Sequence, residues 1–157
     1  MLPTVFYQRY FLFKLHRWSN HDHNIFIQVF KRGIMISAFI GLIGFCMVIF
    51  FAERIIPTIF GVEYLGSVIF LETLSITVLI GYVTTALGAT ITVRNEVRNK
   101  AKIMFLTAIT KGVLNIYLIP IYGALGAAYA TIISSFLLLL MYSWASGLFI
   151  KKLSLIN

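Results

Sequence analysis

The sequence predicts an all-α fold, an integral membrane helical bundle of four full spans preceded by a truncated amino-terminal helix. Two observations predict it. Four long apolar runs, 33–52, 67–93, 103–119 and 124–150, punctuate the 157 residues. A spanning helix needs about 20 mostly apolar residues at about 1.5 Å rise each, so each run crosses once and none comfortably twice. The second observation is where the basic residues fall. Eleven of the thirteen Lys and Arg residues sit in alternate connections: Arg9, Lys14, Arg17, Lys31 and Arg32; Arg94, Arg98, Lys100 and Lys102; then Lys151 and Lys152. The segments 53–66 and 120–123 hold only Arg54. Short Lys- and Arg-rich loops stay on the cytoplasmic side, so the alternation places both chain ends inside the cell.

Composition supports the same class. Hydrophobic residues make up 60% and charged residues 11% of the chain, against about 25% charged in ordinary soluble domains. The net charge of +8 lies beside the apolar runs rather than in a basic groove with interleaved aromatics. Membrane lipids with anionic headgroups therefore explain it better than nucleic acid, which is not an expected partner. The single cysteine, Cys46, lies inside a run and reads as a small packing residue rather than half of a disulfide.

The chain divides into residues 1–32, a truncated helix end and cytoplasmic loop; 33–152, the four-span bundle; and 153–157, a cytoplasmic tail. Met1–Leu15, with Phe6, Tyr7, Tyr10, Phe11 and Phe13, suits a helix end crossing the aromatic interface belt. It shows neither the charged start nor the cleavage site of a signal peptide. His16–Asn24 is polar and turn-like, and residues 25–32 lead into the first span. That span carries Gly33, Ser37, Gly41 and Gly44 as a small-residue stripe, which lets membrane helices approach closely. Pro57 and Gly61 are expected to break the helix in the external connection 53–66. The second span is dotted with Thr73, Ser75, Thr77, Thr84, Thr85, Thr90 and Thr92, which predicts one side facing protein or a wet cavity. Residues 94–102 read as a tight cytoplasmic loop. The third span closes on Pro120 and Gly123, and the fourth opens with Gly123, Gly126, Ala127, Ala128 and Ala130, a face suited to tight helix crossing.

Few residues offer chemistry. Lys111 stands near the middle of the third span, about 12 Å of helix rise from its start. An unpaired ammonium in hydrocarbon costs on the order of 3 kcal/mol on insertion scales, so it either lines a cavity or snorkels toward the interface. Thr107 and Asn115 flank it at four-residue spacing and would extend the same polar face. Glu72, five residues inside the second span, suits either headgroup level or a proton or cation relay. His16, His21, Asp22 and His23 lack the spacing of a metal site and read as a solvated loop. No catalytic triad, phosphate loop or carboxylate pair occurs, so no enzyme activity and no cofactor are expected.

One stretch resembles a known family. Ile119-Pro-Ile-Tyr-Gly-Ala-Leu-Gly-Ala-Ala-Tyr-Ala-Thr-Ile-Ile-Ser134 is similar to the motif near the end of bacterial polysaccharide flippases. These are O-antigen-type exporters of lipid-linked oligosaccharides in the multidrug/oligosaccharidyl-lipid/polysaccharide superfamily. Phe60-Gly-Val-Glu-Tyr64, Leu2-Pro-Thr4 and the polar span from Lys111 to Asn115 agree more weakly. The resemblance covers nearly all of this chain but only about the last third of a family member, whose roughly twelve or more spans form two bundles. It implies residence in the bacterial inner membrane and a lipid-linked oligosaccharide as substrate, an undecaprenyl-pyrophosphate-bound unit moved to the outer leaflet. Lys111 matches the basic cavity residues that meet the pyrophosphate. The absent first bundle implies a missing amino-terminal half or a homo-oligomer as partner. An autonomous four-span accessory protein of a sugar-lipid pathway is the alternative.

Overall fold

The computed structural model describes residues 23–93 and 96–154. The aromatic segment 1–15, the polar turn with His16, His21 and Asp22, and the tail 155–157 lie outside the described residues. Four helices follow one another: α1 (His23–Phe60), α2 (Val68–Val93), α3 (Val97–Tyr122) and α4 (Ala124–Ser154). A short 3-10 turn, Val62–Ser67, joins α1 to α2. All four helices are long and apolar enough to cross a membrane, and the described residues contain no strand. The all-α membrane bundle expected from the sequence is the observed class.

The boundaries differ in instructive ways. Helix α1 runs for 38 residues, straight through Pro57 to Phe60, where a break had been expected from Pro57 onward. Pro57 falls in the last helical turn, so its missing N–H removes one bond while few residues remain to be displaced. The break comes at Gly61, whose φ of +99° is open to glycine and strained for other residues. Its amide still donates to the Pro57 carbonyl at 3.1 Å, closing the helix end. Pro120 is likewise inside α3, which continues to Tyr122. There the chain reverses at Gly123, with φ +59° and its amide donating to Ile119 O at 2.8 Å. The loop expected over 94–102 is shorter than its composition suggests. α3 begins at Val97, and the Glu96 carbonyl accepts the Lys100 amide at 3.1 Å.

The helices pack in the spatial order α1, α2, α4, α3. α2 and α4, which run in the same direction, form the centre, and α1 and α3 flank them. α2 and α3 are consecutive but touch little. Each seam on the outside of this row is made by small residues. In the α1–α2 seam a Cβ on Gly41 would sit 3.1 Å from the Leu79 Cα, and Ser37 and Ser75 are buried beside it. In the α3–α4 seam a Cβ on Gly126 would overlap the backbone carbonyl of Leu118. Ala128 and Ala130 are buried and Ala127 half-buried along the same helix. Such close approach maximises dispersion where lipid tails remove any hydrophobic drive between helices.

A cluster of buried apolar side chains lies at one end of the bundle. Phe30 of α1, Leu87 and Ile91 of α2 and Tyr142 of α4 are buried together, with Ile103 of α3 and Leu138 of α4 against them. All four helices thus meet beside the α2–α3 connection. The outward faces of α1 and α3 carry large exposed apolar side chains, among them Phe39, Phe50, Phe105 and Ile116, as surfaces facing lipid or further helices would.

Candidate functional site

Four polar residues of α3, with Met104 among them, fall on one face. Lys100, Met104, Thr107, Lys111 and Asn115 are spaced by three or four residues and share an arc of the helix. Thr107 is buried, and its hydroxyl donates back to the Ile103 carbonyl at 2.9 Å. Lys111 is half-buried and forms no hydrogen bond or ion pair with another described residue. One turn on, the Asn115 Oδ1 is buried and has no hydrogen-bond partner. Glu72 is half-buried near the start of α2, and no ion pair joins it to Lys111. The structure therefore sets Thr107, Lys111 and Asn115 along one stripe and leaves Glu72 apart from them.

The hydroxyls of α2 have a local explanation. Thr73, Ser75, Thr77, Thr84 and Thr92 each donate to a carbonyl three or four residues earlier in their own helix. Back-bonding of this kind satisfies a hydroxyl inside an apolar environment without a partner on another helix. Many of these residues therefore need neither a cavity nor a neighbour. Thr84 and Thr85 nonetheless face a cleft.

That cleft, about 310 Å³ in volume, opens between α2, α3 and α4. Ile80, Gly81, Thr84, Thr85 and Gly88 line it from α2, Lys100 and Met104 from α3, and Ser135, Leu138 and Tyr142 from α4. Lys100 forms its floor. The ammonium crosses from α3 to α2, donating to Thr92 Oγ1 at 2.9 Å and to the Gly88 carbonyl at 3.2 Å. Gly88 makes room for the Tyr142 ring, from which a Cβ there would lie 2.9 Å, while the Lys100 Cε at 3.5 Å is in ordinary contact. No carboxylate lines the cleft.

Sequence reasoning marked Lys100 only as a topology signal in a loop. The signal that would have found it is the four- and three-residue spacing running back from Lys111 through Thr107 and Met104. That spacing becomes visible once α3 is known to begin at Val97. Lys111, in turn, does not line this cleft. Of the small residues expected to pack, Gly126 meets the α3 backbone, whereas Gly123 has open space around it and serves the turn.

With this geometry in place, the comparison with known proteins gains meaning. The chain is similar to a capsular polysaccharide biosynthesis protein. The relative is CapF of Staphylococcus aureus, 30% identical over 133 residues, which cover 84% of this chain and 34% of CapF. The chain thus spans about a third of the length of the curated relative it matches. No family model matches the chain, and no solved structure matches it. The likeness to CapF relates this membrane-spanning chain to polysaccharide biosynthesis.

Proposed function

We infer that the chain is part of a polysaccharide transporter of the bacterial inner membrane, one that moves an undecaprenyl-pyrophosphate-linked oligosaccharide from the cytoplasmic to the outer leaflet. The observation that carries this reading is Lys111. A lysine without a partner among the described residues stands midway along a helix able to span the bilayer, one turn from a buried amide oxygen that also lacks one. Intramembrane ammonium groups are costly, and they mark substrate or ion pathways. A pyrophosphate passing along this stripe would supply the missing negative charge, and Asn115 would be free to orient a hydroxyl or water beside it. The relation to capsular polysaccharide biosynthesis supports a sugar-bearing cargo. Alternating access works by one helix bundle rocking against another around a midplane site. The four helices would therefore act as one portion of a larger transporter, through the lipid-facing or partner-facing surfaces of α1 and α3.

The test uses the intact transporter in its own bacterium. Lys111→Ala is expected to reduce surface polysaccharide to background, and Lys111→Arg to retain a part of it, because the charge persists while its shape and hydration change. Immunoblotting of membranes controls for protein level. Normal polysaccharide in a well-expressed Ala variant would sink the reading.

A further inference from the structure

We propose that the cleft floored by Lys100 is a binding site for the phosphate of a membrane phospholipid headgroup. The proposal rests on the membrane-spanning architecture and on the positive-inside orientation, and it is independent of transport through the Lys111 stripe. The two lysines are eleven residues apart on α3, about 16 Å of helix rise, so one ligand phosphate cannot serve both.

The argument is one of unmet donors. The Lys100 ammonium has three N–H groups, of which two go to Thr92 Oγ1 and Gly88 O. Both acceptors are neutral, so the charge is half-buried with no counter-charge lining the cleft. The lining of the same cleft carries three side chains with hydroxyls, Thr85, Ser135 and Tyr142, that make no hydrogen bond with another described residue. A cation on α3 with a spare N–H, one such hydroxyl on α2 and two on α4 suit a ligand that is anionic and rich in acceptor oxygens. A phosphate group has that chemistry, and charge-assisted bonds to it are roughly twice as strong as neutral ones. The site also lies in the right place. Lys100 is in the first turn of α3, beside the α2–α3 connection and between the exposed Arg98 and Lys102 of the same helix, which the positive-inside orientation puts at the level of the inner-leaflet headgroups. Basic pockets between spanning helices on the cytoplasmic side take anionic headgroups. Met104, Leu138 and Ile80 continue the cleft as an apolar wall on which acyl chains can lie.

Native mass spectrometry of the chain in detergent tests this, with dioleoylphosphatidylglycerol, dioleoylglycerol and inorganic phosphate as probes. Phosphatidylglycerol is expected to occupy one saturable site about tenfold more tightly than dioleoylglycerol, which has the same chains and no phosphate. Lys100→Gln should remove that preference, and Lys102→Gln, an exposed neighbour, should keep it. Because Lys100→Gln also loses the bond to α2, the double variant Thr85→Val with Ser135→Ala provides a second reading and should weaken retention severalfold. Circular dichroism confirms that each variant is helical. Equal binding of the two lipids, or an unchanged preference in both folded variants, would overturn the proposal. Displacement of the lipid by millimolar inorganic phosphate would assign the site to a soluble phosphate ester and overturn the lipid assignment. None of these outcomes bears on surface polysaccharide in Lys111→Ala, so the two readings fail separately.

Discussion

Asn115 holds the one buried polar side-chain atom among the described residues that has no hydrogen-bond partner. Its buried Oδ1 has no partner, and a buried acceptor left unsatisfied costs on the order of 1–3 kcal/mol. If stability alone governed the position, an apolar side chain of similar volume would serve better. Asn115→Leu is therefore expected to stabilise the folded chain by about 1 kcal/mol while impairing polysaccharide export. Thermal unfolding in detergent and surface staining check the two halves, and an unstable but fully active variant would contradict both. Lys111, Thr107 and Asn115 were legible in the sequence because a charge or amide inside an apolar run stands out against its neighbours. Lys100 was not, because a lysine among three other basic residues looks like loop. Only the position of the helix start and the two bonds to Gly88 O and Thr92 Oγ1 reveal that its ammonium turns inward.

At the scale of the helix, glycine position decides the packing. Gly126 and Gly112 are both helical, yet their surroundings differ. A Cβ on Gly126 would run into the Leu118 carbonyl, whereas one on Gly112 meets open space. Gly126→Ala should force α3 and α4 apart and cost about 1–3 kcal/mol, with a backbone atom as the obstacle. Gly112→Ala should be neutral or stabilising by up to about 1 kcal/mol through helix propensity alone. Circular dichroism melts of the two variants in the same detergent give the comparison, and equal melts would refute this account of the seam. The small-residue pattern after Gly123 was readable, but which of those glycines touches a neighbour was not. Contact depends on the reversal at Gly123, which faces Gly126 toward α3. Proline misled in the same way at Pro57 and Pro120: residue type signals a break, while distance from the helix end determines whether breaking is needed.

For the molecule as a whole, length, apolarity and the distribution of charge carried most of the information. Four spans were legible because a bilayer sets a minimum helix length that composition reports directly. The packing order was not, since apolar helices in lipid carry little periodic signal about which neighbour they face. The orientation proposed from the basic connections is tested with reporter fusions. Fusions after Gly61 and Tyr122 should report the periplasm, and fusions after Asn95 and Leu153 the cytoplasm; a reversed pattern would overturn the positive-inside assignment. One consequence follows from the two glycine seams. Gly41 locks α1 to α2 and Gly126 locks α3 to α4, so the chain consists of two stiff hairpins joined lengthwise through α2 and α4. Any widening of the space between α2 and α3 is then a roll of one hairpin on the other. The Lys100 ammonium bridges that space, bonded to Gly88 O and Thr92 Oγ1 of α2, so such a roll must stretch or break both bonds.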